Sequence, residues 1–320
     1  MVFLNIAVFL ASVILLFFSG SKLVKALMRI GRFLGWREFV VAFFIMAIAG
    51  TMPNLFVGIN SALKNIPELS FGEVMGGNVL DLTLAVGLAV LIGRGSLYAG
   101  SRMVQSSAVF TSVIALLPLL LILDGKLGRI DGGVLLLAFG FYTYWLFSKE
   151  ERFKQLYNGQ EENQPPKRLS TFLKDLAGVF VFLIFLLIAA EGIVASAQNF
   201  SSFLGIGIST VGILIVGVGN ALPETYFAIV SARKSQGWMI LGDLMGSVIA
   251  CTTLVLGVVA LIQPFVIENF SPFAVARTFL VISAFFFWLS VKTDREISKK
   301  EGLMLILIYI AFLGLEIALR

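Results

Sequence analysis

The sequence predicts an all-α polytopic membrane protein in which ten transmembrane helices form two inverted five-helix repeats. Apolar residues make up 58% of the 320-residue chain, charged residues only 13%, and mean hydropathy is +0.97. Apolar runs recur along the chain, and part of each half resembles the other half at a fixed offset. Soluble proteins carry about 25% charged residues. The composition therefore disfavours a soluble enzyme, a nucleic-acid-binding protein and a disordered scaffold.

Helices that span a bilayer need about 20 mostly apolar residues. Apolar runs separated by charged or turn-rich breaks meet this requirement about ten times. We expect the ten segments, numbered one to ten in chain order, to centre on Phe3–Leu27, Phe39–Leu63, Phe71–Ile92, Met103–Leu123, Gly132–Phe147, Phe172–Ile193, Val211–Ser231, Leu241–Ile262, Phe273–Val291 and Leu303–Leu319.

An internal repeat lies at an offset of 170 residues. Phe33–Ile92 aligns without gaps to Phe203–Ile262, with 18 identities in 60 positions that include a proline and several glycines. The two units begin at segments two and seven, an odd number of crossings apart, so equivalent helices run in opposite directions. Inverted repeats are typical of secondary transporters, which bind their substrates near the midplane between the halves. A duplicated membrane protein without transport is the alternative.

The distribution of lysine and arginine predicts orientation, because cytoplasmic loops are enriched in these residues. The loops after segments one, three, five, seven and nine hold 19 of the 24 basic residues. We therefore expect the protein in the cell membrane, with both termini outside. The expected organisation is a first half at residues 1–148, a cytoplasmic linker at 149–170 and a second half at 171–320. The net charge of +5 then reports topology, and no nucleic-acid partner is needed to explain it.

Each repeat unit has a proline inside its first helix, followed at once by a polar residue. Pro53 and Pro223 cannot bond to the carbonyl groups four residues earlier, which belong to Ala49 and Gly219. Together with nearby glycines, this predicts a locally unwound helix; a simple proline kink is the alternative. Freed carbonyls and side-chain oxygens would suit a hard cation, the side chains being Thr51, Asn54, Asn220 and Glu224.

Segments three and eight carry acidic residues at helical spacing. The positions i, i+4 and i+8 lie on one helix face. In segment three these positions hold Glu73, Gly77 and Asp81, and the equivalent positions of segment eight hold Asp243, Ser247 and Cys251. A carboxylate at the bilayer centre costs at least about 2.5–3.5 kcal/mol. Asp81 and Glu224 lie well inside their segments without a basic neighbour, which predicts a bound cation. Glu73 and Asp243 lie nearer the segment starts, where water could reach them, and a role in cation binding is the alternative.

Several kinds of site are excluded by composition. The chain has no histidine and a single cysteine, Cys251, so it can form neither an intramolecular disulfide nor a histidine or cysteine-cluster metal site. One cysteine without such partners is a weak soft-metal ligand and is more often a packing residue. No acid pair has a plausible nucleophile beside it, so we expect no enzymatic activity and no cofactor.

These motifs resemble those of the cation/Ca²⁺ antiporter superfamily, and most closely the prokaryotic sodium/calcium exchanger membrane proteins. The similarity covers nearly the whole chain and rests on AGTMPNLFVGINSA with GEVMGGNVLDLTLAVG, and on VGNALPETYFAIVSARK with GDLMGSVIACTTLVLG. It implies ten helices in two inverted halves and alternating access to a central site. The family's first-repeat glutamate is Asn54 here, whereas the second-repeat glutamate is retained as Glu224. Asp81, Cys251 and Gly77 replace other expected polar ligands.

The sequence therefore favours a cation antiporter that exchanges Na⁺ for Ca²⁺. Glu224 and Asp81 would bind the cation directly, with neutral oxygens from Asn54, Thr51, Asn220 and Ser247, backbone carbonyls near Ala47 and Gly217, and Cys251 as a candidate soft ligand. An exchanger that uses H⁺, K⁺ or Mg²⁺ is an alternative, and so is a cation-binding membrane protein that does not transport. The expected partners are inorganic cations and the lipid bilayer, and the sequence is compatible with a monomer.

Overall fold

The computed structural model describes residues 2–33, 46–93, 96–100, 102–147, 169–233, 237–267 and 273–319. Within these ranges, ten helical segments follow one another, and each overlaps one predicted segment. Seven have a single main α-helix: Val2–Phe33, Met46–Leu63, Arg102–Leu121, Arg129–Phe147, Leu169–Leu204, Ala274–Lys292 and Lys299–Ala318. The helix of segment four continues as a short 3₁₀ turn at Ile122–Asp124.

Segments three, seven and eight each contain a π-helical turn. Segment three comprises Pro67–Leu80, the π-turn Asp81–Ala85 and Val86–Ile92. Segment seven comprises Ile208–Val211, the π-turn Gly212–Val216 and Gly217–Arg233. Segment eight comprises Gly237–Ala250, the π-turn Cys251–Val255 and Leu256–Ile262.

Length and apolarity agree with a membrane protein. In the described part of the chain, eight of the ten segments are long and apolar enough to cross a bilayer, the exceptions being Met46–Leu63 and Arg129–Phe147. Burial separates the centre from the periphery: 72% of the most apolar window is buried in segments three and eight, against 28% in segments six and ten. Segments three and eight therefore form the core, whereas six and ten present apolar side chains outward.

Close glycine contacts show how the halves interlock. A Cβ atom built on Gly87 in segment three would lie 2.6 Å from the carbonyl oxygen of Gly302 in segment ten. One built on Gly132 in segment five would lie 2.8 Å from the carbonyl oxygen of Gly257 in segment eight. Gly257 follows Gly87 by 170 residues, and Gly302 follows Gly132 by the same interval. The last helix of each half therefore crosses the central helix of the other half, as the inverted repeat requires.

Two short antiparallel sheets also join the halves. Strand β1 (Leu97–Tyr98) pairs with β4 (Glu296–Ile297), and β2 (Lys126–Leu127) pairs with β3 (Phe265–Val266). Each sheet thus takes one strand from each half. The strands were not predicted, because two residues are too few to show an alternating pattern. The predicted linker at residues 149–170 lies outside the described residues, except for its last two residues, which begin segment six.

Segment six is joined to segments one and two by ion pairs. Arg29 Nη2 lies 2.6 Å from Asp175 Oδ1, and Lys64 Nζ lies 2.5 Å from Glu191 Oε1. Arg29 and the Glu191 side chain are each about half exposed. Exposed ion pairs contribute little to stability. These two pairs matter mainly because they show that Asp175 and Glu191 have basic partners.

Adjacent glycines in segment five allow a test of the crossing. Gly132→Ala should lower the melting temperature of the purified protein in detergent, since its methyl group would meet the Gly257 backbone. Overpacking of this kind costs about 1–3 kcal/mol. Gly133→Ala is the matched control, because a Cβ there meets nothing within 4 Å, and alanine favours a helix over glycine by about 1 kcal/mol. Equal melting temperatures for the two variants would contradict the crossing.

Candidate cation site

A small cavity lies where segments two, three, seven and eight meet. Its volume is about 20 Å³, which is room for about one water-sized occupant. Its lining, taken over the described residues, includes no lysine or arginine. The lining residues are Asn54, Glu73, Val74, Gly77, Asn78, Asp81, Gly217, Asn220, Ala221, Glu224, Ser247 and Cys251.

Seven of the nine predicted site residues line this cavity: Asn54, Asp81, Gly217, Asn220, Glu224, Ser247 and Cys251. Two do not. Thr51 is buried in segment two, one helical turn before Asn54, and Ala47 lies in the helix near Met46, where the described part of that segment begins. The structure thus brings together residues from both halves, although their role as ligands stays a prediction.

The expected unwinding at the prolines is wrong. The helix Met46–Leu63 continues through Pro53, and Gly217–Arg233 continues through Pro223. Neighbouring helices can re-satisfy the groups that a proline frees in a membrane helix, so a proline does not by itself break the helix.

Backbone irregularity occurs instead at the π-turns, which are frequent at functional sites. Asp81 and Cys251, which occupy equivalent positions in the two halves, each begin one. The third π-turn ends immediately before Gly217. Three cavity-lining residues, Asp81, Cys251 and Gly217, therefore lie at or beside a π-turn. The extra residue of a π-turn shifts the helix face on which the following side chains lie.

Segments three and seven come into backbone contact beside the cavity. A Cβ built on Gly217 would lie 2.9 Å from the carbonyl oxygen of Glu73 and 3.0 Å from the amide nitrogen of Gly77. Gly72 and Gly76 likewise face the backbone of segment seven at Ser209 and Ile213. Small residues permit this close approach between membrane helices. The contact holds the side chains of both segments at fixed positions around the cavity.

Three amide side chains connect the two halves at this level. Asn54 Nδ2 donates to Cys251 Sγ at 2.9 Å, and Asn78 Nδ2 donates to Thr252 Oγ1 at 2.8 Å. Asn220 Nδ2 donates to Glu73 Oε1 at 2.5 Å, so that each bond joins one half to the other. Asn78 was not singled out from the sequence, because an asparagine inside a helix does not reveal its partner.

Four buried oxygen atoms around the cavity have no hydrogen-bond partner among the described residues. They belong to three carboxylates and one amide: Glu73 Oε2, Asp81 Oδ1, Asn220 Oδ1 and Glu224 Oε2. The Asp81 carboxylate is also hydrogen bonded to Ser247. Glu73 is only 3% exposed, so the expectation that water reaches it is wrong. Its spacing of eight residues from Asp81 was the signal that placed it on this face.

The carboxylates lie near one another. Asp81, Asp243 and Glu73 are all close enough to Glu224 for electrostatic repulsion between the acids. Asp243 belongs to this acidic neighbourhood but does not line the cavity. In the described part of the chain, no three acidic or cysteine side chains converge tightly enough to form a metal cluster on their own. Amide, hydroxyl and backbone oxygens would therefore have to contribute to any cation site.

Ten helices in two inverted halves, with an acidic cavity between them, define the class of membrane transporters built from inverted repeats. The profile of the family described as "Sodium/calcium exchanger protein" matches residues 4–148 and 174–318. The chain belongs to this family, which is membrane-embedded, transports inorganic cations and is not a family of enzymes. The predicted superfamily and fold class are thereby confirmed.

Individual relatives are similar to this chain over more than nine tenths of their length. The chain is 25% identical to the sodium/calcium exchanger MaX1 of Methanosarcina acetivorans, with 98% of each chain covered. It is 24% identical to the inner membrane protein YrbG of Escherichia coli, covering 93% of this chain and 92% of the relative. The solved structure of the sodium-calcium exchanger NCX_Mj soaked with 10 mM Na⁺ and zero Ca²⁺ is 26% identical, with a TM-score of 0.64 and coverage of 98% and 99%.

The bond between segments three and eight can be tested with neighbouring threonines. Thr252→Val removes the acceptor of the Asn78 amide and should destabilise the protein by about 1–3 kcal/mol, the cost of an unsatisfied buried polar group. Thr253 is equally buried but donates to Ile249 within its own helix, so Thr253→Val should have the smaller effect. Thermal unfolding in detergent makes the comparison, and a larger loss for Thr253→Val would argue against the inter-half bond.

Proposed function

We propose that this protein is a cation antiporter that exchanges Na⁺ and Ca²⁺ by alternating access to the central cavity. The observation that carries the proposal is the set of four unpartnered oxygens around a cavity without a basic side chain. Membership of the sodium/calcium exchanger family supports it, and so does the similarity to MaX1 and NCX_Mj, both of which are named as sodium/calcium exchangers.

The proposed ligands match the chemistry of hard cations, which prefer carboxylate, carbonyl and hydroxyl oxygens. Asp81 and Glu224 provide the charge. Neutral oxygens would come from the side chains of Asn54, Asn220 and Ser247 and from the Gly217 carbonyl, all in the cavity lining. Thr51 and the Ala47 carbonyl, which lie one and two helical turns before Asn54 in segment two, would contribute further oxygens.

Cys251 has a smaller part in this proposal. Its sulfur accepts a hydrogen bond from the Asn54 amide, and a lone thiol suits Ca²⁺ and Na⁺ poorly because both prefer oxygen. The same bond uses the amide nitrogen of Asn54 and leaves the carbonyl oxygen of that side chain as the candidate ligand. Cys251 therefore helps to orient Asn54.

Charge balance gives a physical reason for exchange. Two carboxylates are neutralised by one Ca²⁺ or by two Na⁺, so either loaded state buries little net charge. The empty site keeps its charge in a low-dielectric environment, which makes its passage between the two sides unfavourable. The protein then changes its accessible side mainly when it is loaded, and this couples the two ion flows.

The proposed setting is the cell membrane. The halves at residues 1–148 and 171–320 would rock against each other around the cavity, joined by the linker at 149–170. The excess of basic residues in the loops after odd-numbered segments would place that linker in the cytoplasm and both termini outside. Residues Arg29 and Asp175, which pair at the ends of segments one and six, would then lie toward the cytoplasm.

The exchange itself is tested in proteoliposomes loaded with Na⁺. Asp81→Asn and Glu224→Gln should each abolish Na⁺-driven ⁴⁵Ca²⁺ uptake, because each removes half of the charge that these two acids supply. Glu191→Gln is the control: it neutralises an acid in a membrane-spanning segment that pairs with Lys64 and does not line the cavity, and it should retain uptake. Full activity of both cavity variants would refute the proposal.

The same vesicles identify the counter-ion. Uptake of ⁴⁵Ca²⁺ should require the Na⁺ gradient and should persist when the pH is equal on both sides. Uptake that follows a pH gradient in Na⁺-free buffer would assign H⁺ to this role instead. Cation binding without any counter-ion-dependent flux would indicate a binding protein that does not transport.

A further inference from the structure

Glu73 is a third carboxylate of the cavity, in addition to Asp81 and Glu224. Its side chain is 3% exposed, lines the cavity, and has one oxygen, Oε2, without a partner among the described residues. The other oxygen accepts a hydrogen bond from Asn220, whose own Oδ1 is likewise buried and unpartnered. The hydrogen-bonded pair thus presents one carboxylate oxygen and one amide oxygen as potential ligands.

We propose that Glu73 is a direct ligand of the transported cation and that its charge makes the site prefer divalent over monovalent ions. This inference rests on the proposed function, because it assigns a further ligand to the same cavity. It adds Glu73, for which the sequence left a binding role open, to the two carboxylates expected to bind the cation directly. With three ionised carboxylates, the Ca²⁺-loaded site keeps one negative charge, which is still less than the charge of the empty site.

A purely structural role does not account for the carboxylate. The Asn220 amide needs only an acceptor, and a glutamine at position 73 would supply one without bringing a charge into the protein. An ionised carboxylate with an unpartnered oxygen is costly to bury unless an opposite charge compensates it. No basic side chain does so within the described cavity lining, so the compensating charge that we propose is a cation in this cavity, bound by Glu73 together with other oxygens of the lining.

The charge of Glu73 has a quantitative consequence for selectivity. The electrostatic energy between a ligand and an ion scales with the charge of the ion. Removing one carboxylate therefore costs a divalent ion twice the free energy that it costs a monovalent ion at the same place. The fold-loss of Ca²⁺ affinity should then approach the square of the fold-loss of Na⁺ affinity.

The inverted repeat supplies a matched control. Asp243 follows Glu73 by 170 residues and is its equivalent in segment eight, but Asp243 does not line the cavity. It is close enough to Asp81 and Glu224 to repel them, so Asp243→Asn removes a nearby acid without removing a proposed ligand. A general effect of negative charge would appear in both variants, whereas the loss of a ligand would appear only in the Glu73 variant.

The test is equilibrium binding of Ca²⁺ and Na⁺ to the purified full-length protein in detergent. Glu73→Gln should weaken Ca²⁺ binding at least about tenfold, by comparison with the tenfold to hundredfold losses that follow changes around metal sites. Na⁺ binding should weaken by only about threefold, as the square relation requires. Asp243→Asn should change the ratio of the two affinities much less, and Glu73→Asp, which keeps the charge, should preserve most of that ratio.

The outcomes separate this inference from the proposed function, with Asp81→Asn measured alongside. Wild-type binding in Glu73→Gln together with lost binding in Asp81→Asn overturns the role of Glu73 and leaves the cavity as the site. Wild-type binding in both variants overturns the cavity itself. Equal losses for Ca²⁺ and Na⁺ in Glu73→Gln indicate a structural role and also overturn the inference. Glu73→Asn provides the same comparison if Glu73→Gln does not yield folded protein.

Discussion

A carboxylate among membrane-spanning helices has to be compensated by hydrogen-bond donors or by a positive charge, because the surroundings screen it poorly. Glu73, Asp81 and Glu224 line one cavity of about 20 Å³, and the described lining offers them amide, hydroxyl and thiol groups but no basic side chain. Asn220 and Ser247 satisfy one oxygen each on Glu73 and Asp81. In the proposed mechanism the remaining charge would give the cavity its affinity for cations, and the packing of the central helices would hold these acids around it.

The scaffold is symmetric, whereas the cavity is not. Gly87 with Gly302 and Gly132 with Gly257 make equivalent crossings, and both small sheets pair a strand of one half with a strand of the other. The equivalent polar positions differ in chemistry, however: Asn54 corresponds to Glu224, Asp81 to Cys251, and Glu73 to Asp243 outside the cavity lining. The two halves are therefore similar in packing, whereas the cavity has an unequal set of charges from the two halves.

Much of this arrangement could be predicted from the sequence, because the hydropathy pattern and the 170-residue repeat depend only on which residue types occur at which positions. The ten segments, the inverted halves and seven lining residues follow from such patterns. The position of the backbone irregularity did not, since Pro53 and Pro223 continue within helices and the π-turns at Asp81 and Cys251 depend on packing. The burial of Glu73 was missed for a related reason. A residue near the start of a membrane segment is expected to be exposed to water, and the sequence does not show that segment seven packs against it.

The central claim is that a cation is bound in the cavity that Glu73, Asp81 and Glu224 line, with neutral oxygens completing its coordination. Crystals of the full-length protein soaked with Sr²⁺, the heavier homologue of Ca²⁺, would locate the ion by its anomalous scattering. A peak inside the cavity, within coordination distance of carboxylate oxygens from both halves, is the predicted result. A cavity without a peak at Sr²⁺ concentrations that inhibit Ca²⁺ uptake, or a peak at a different place in the helix bundle, would contradict it.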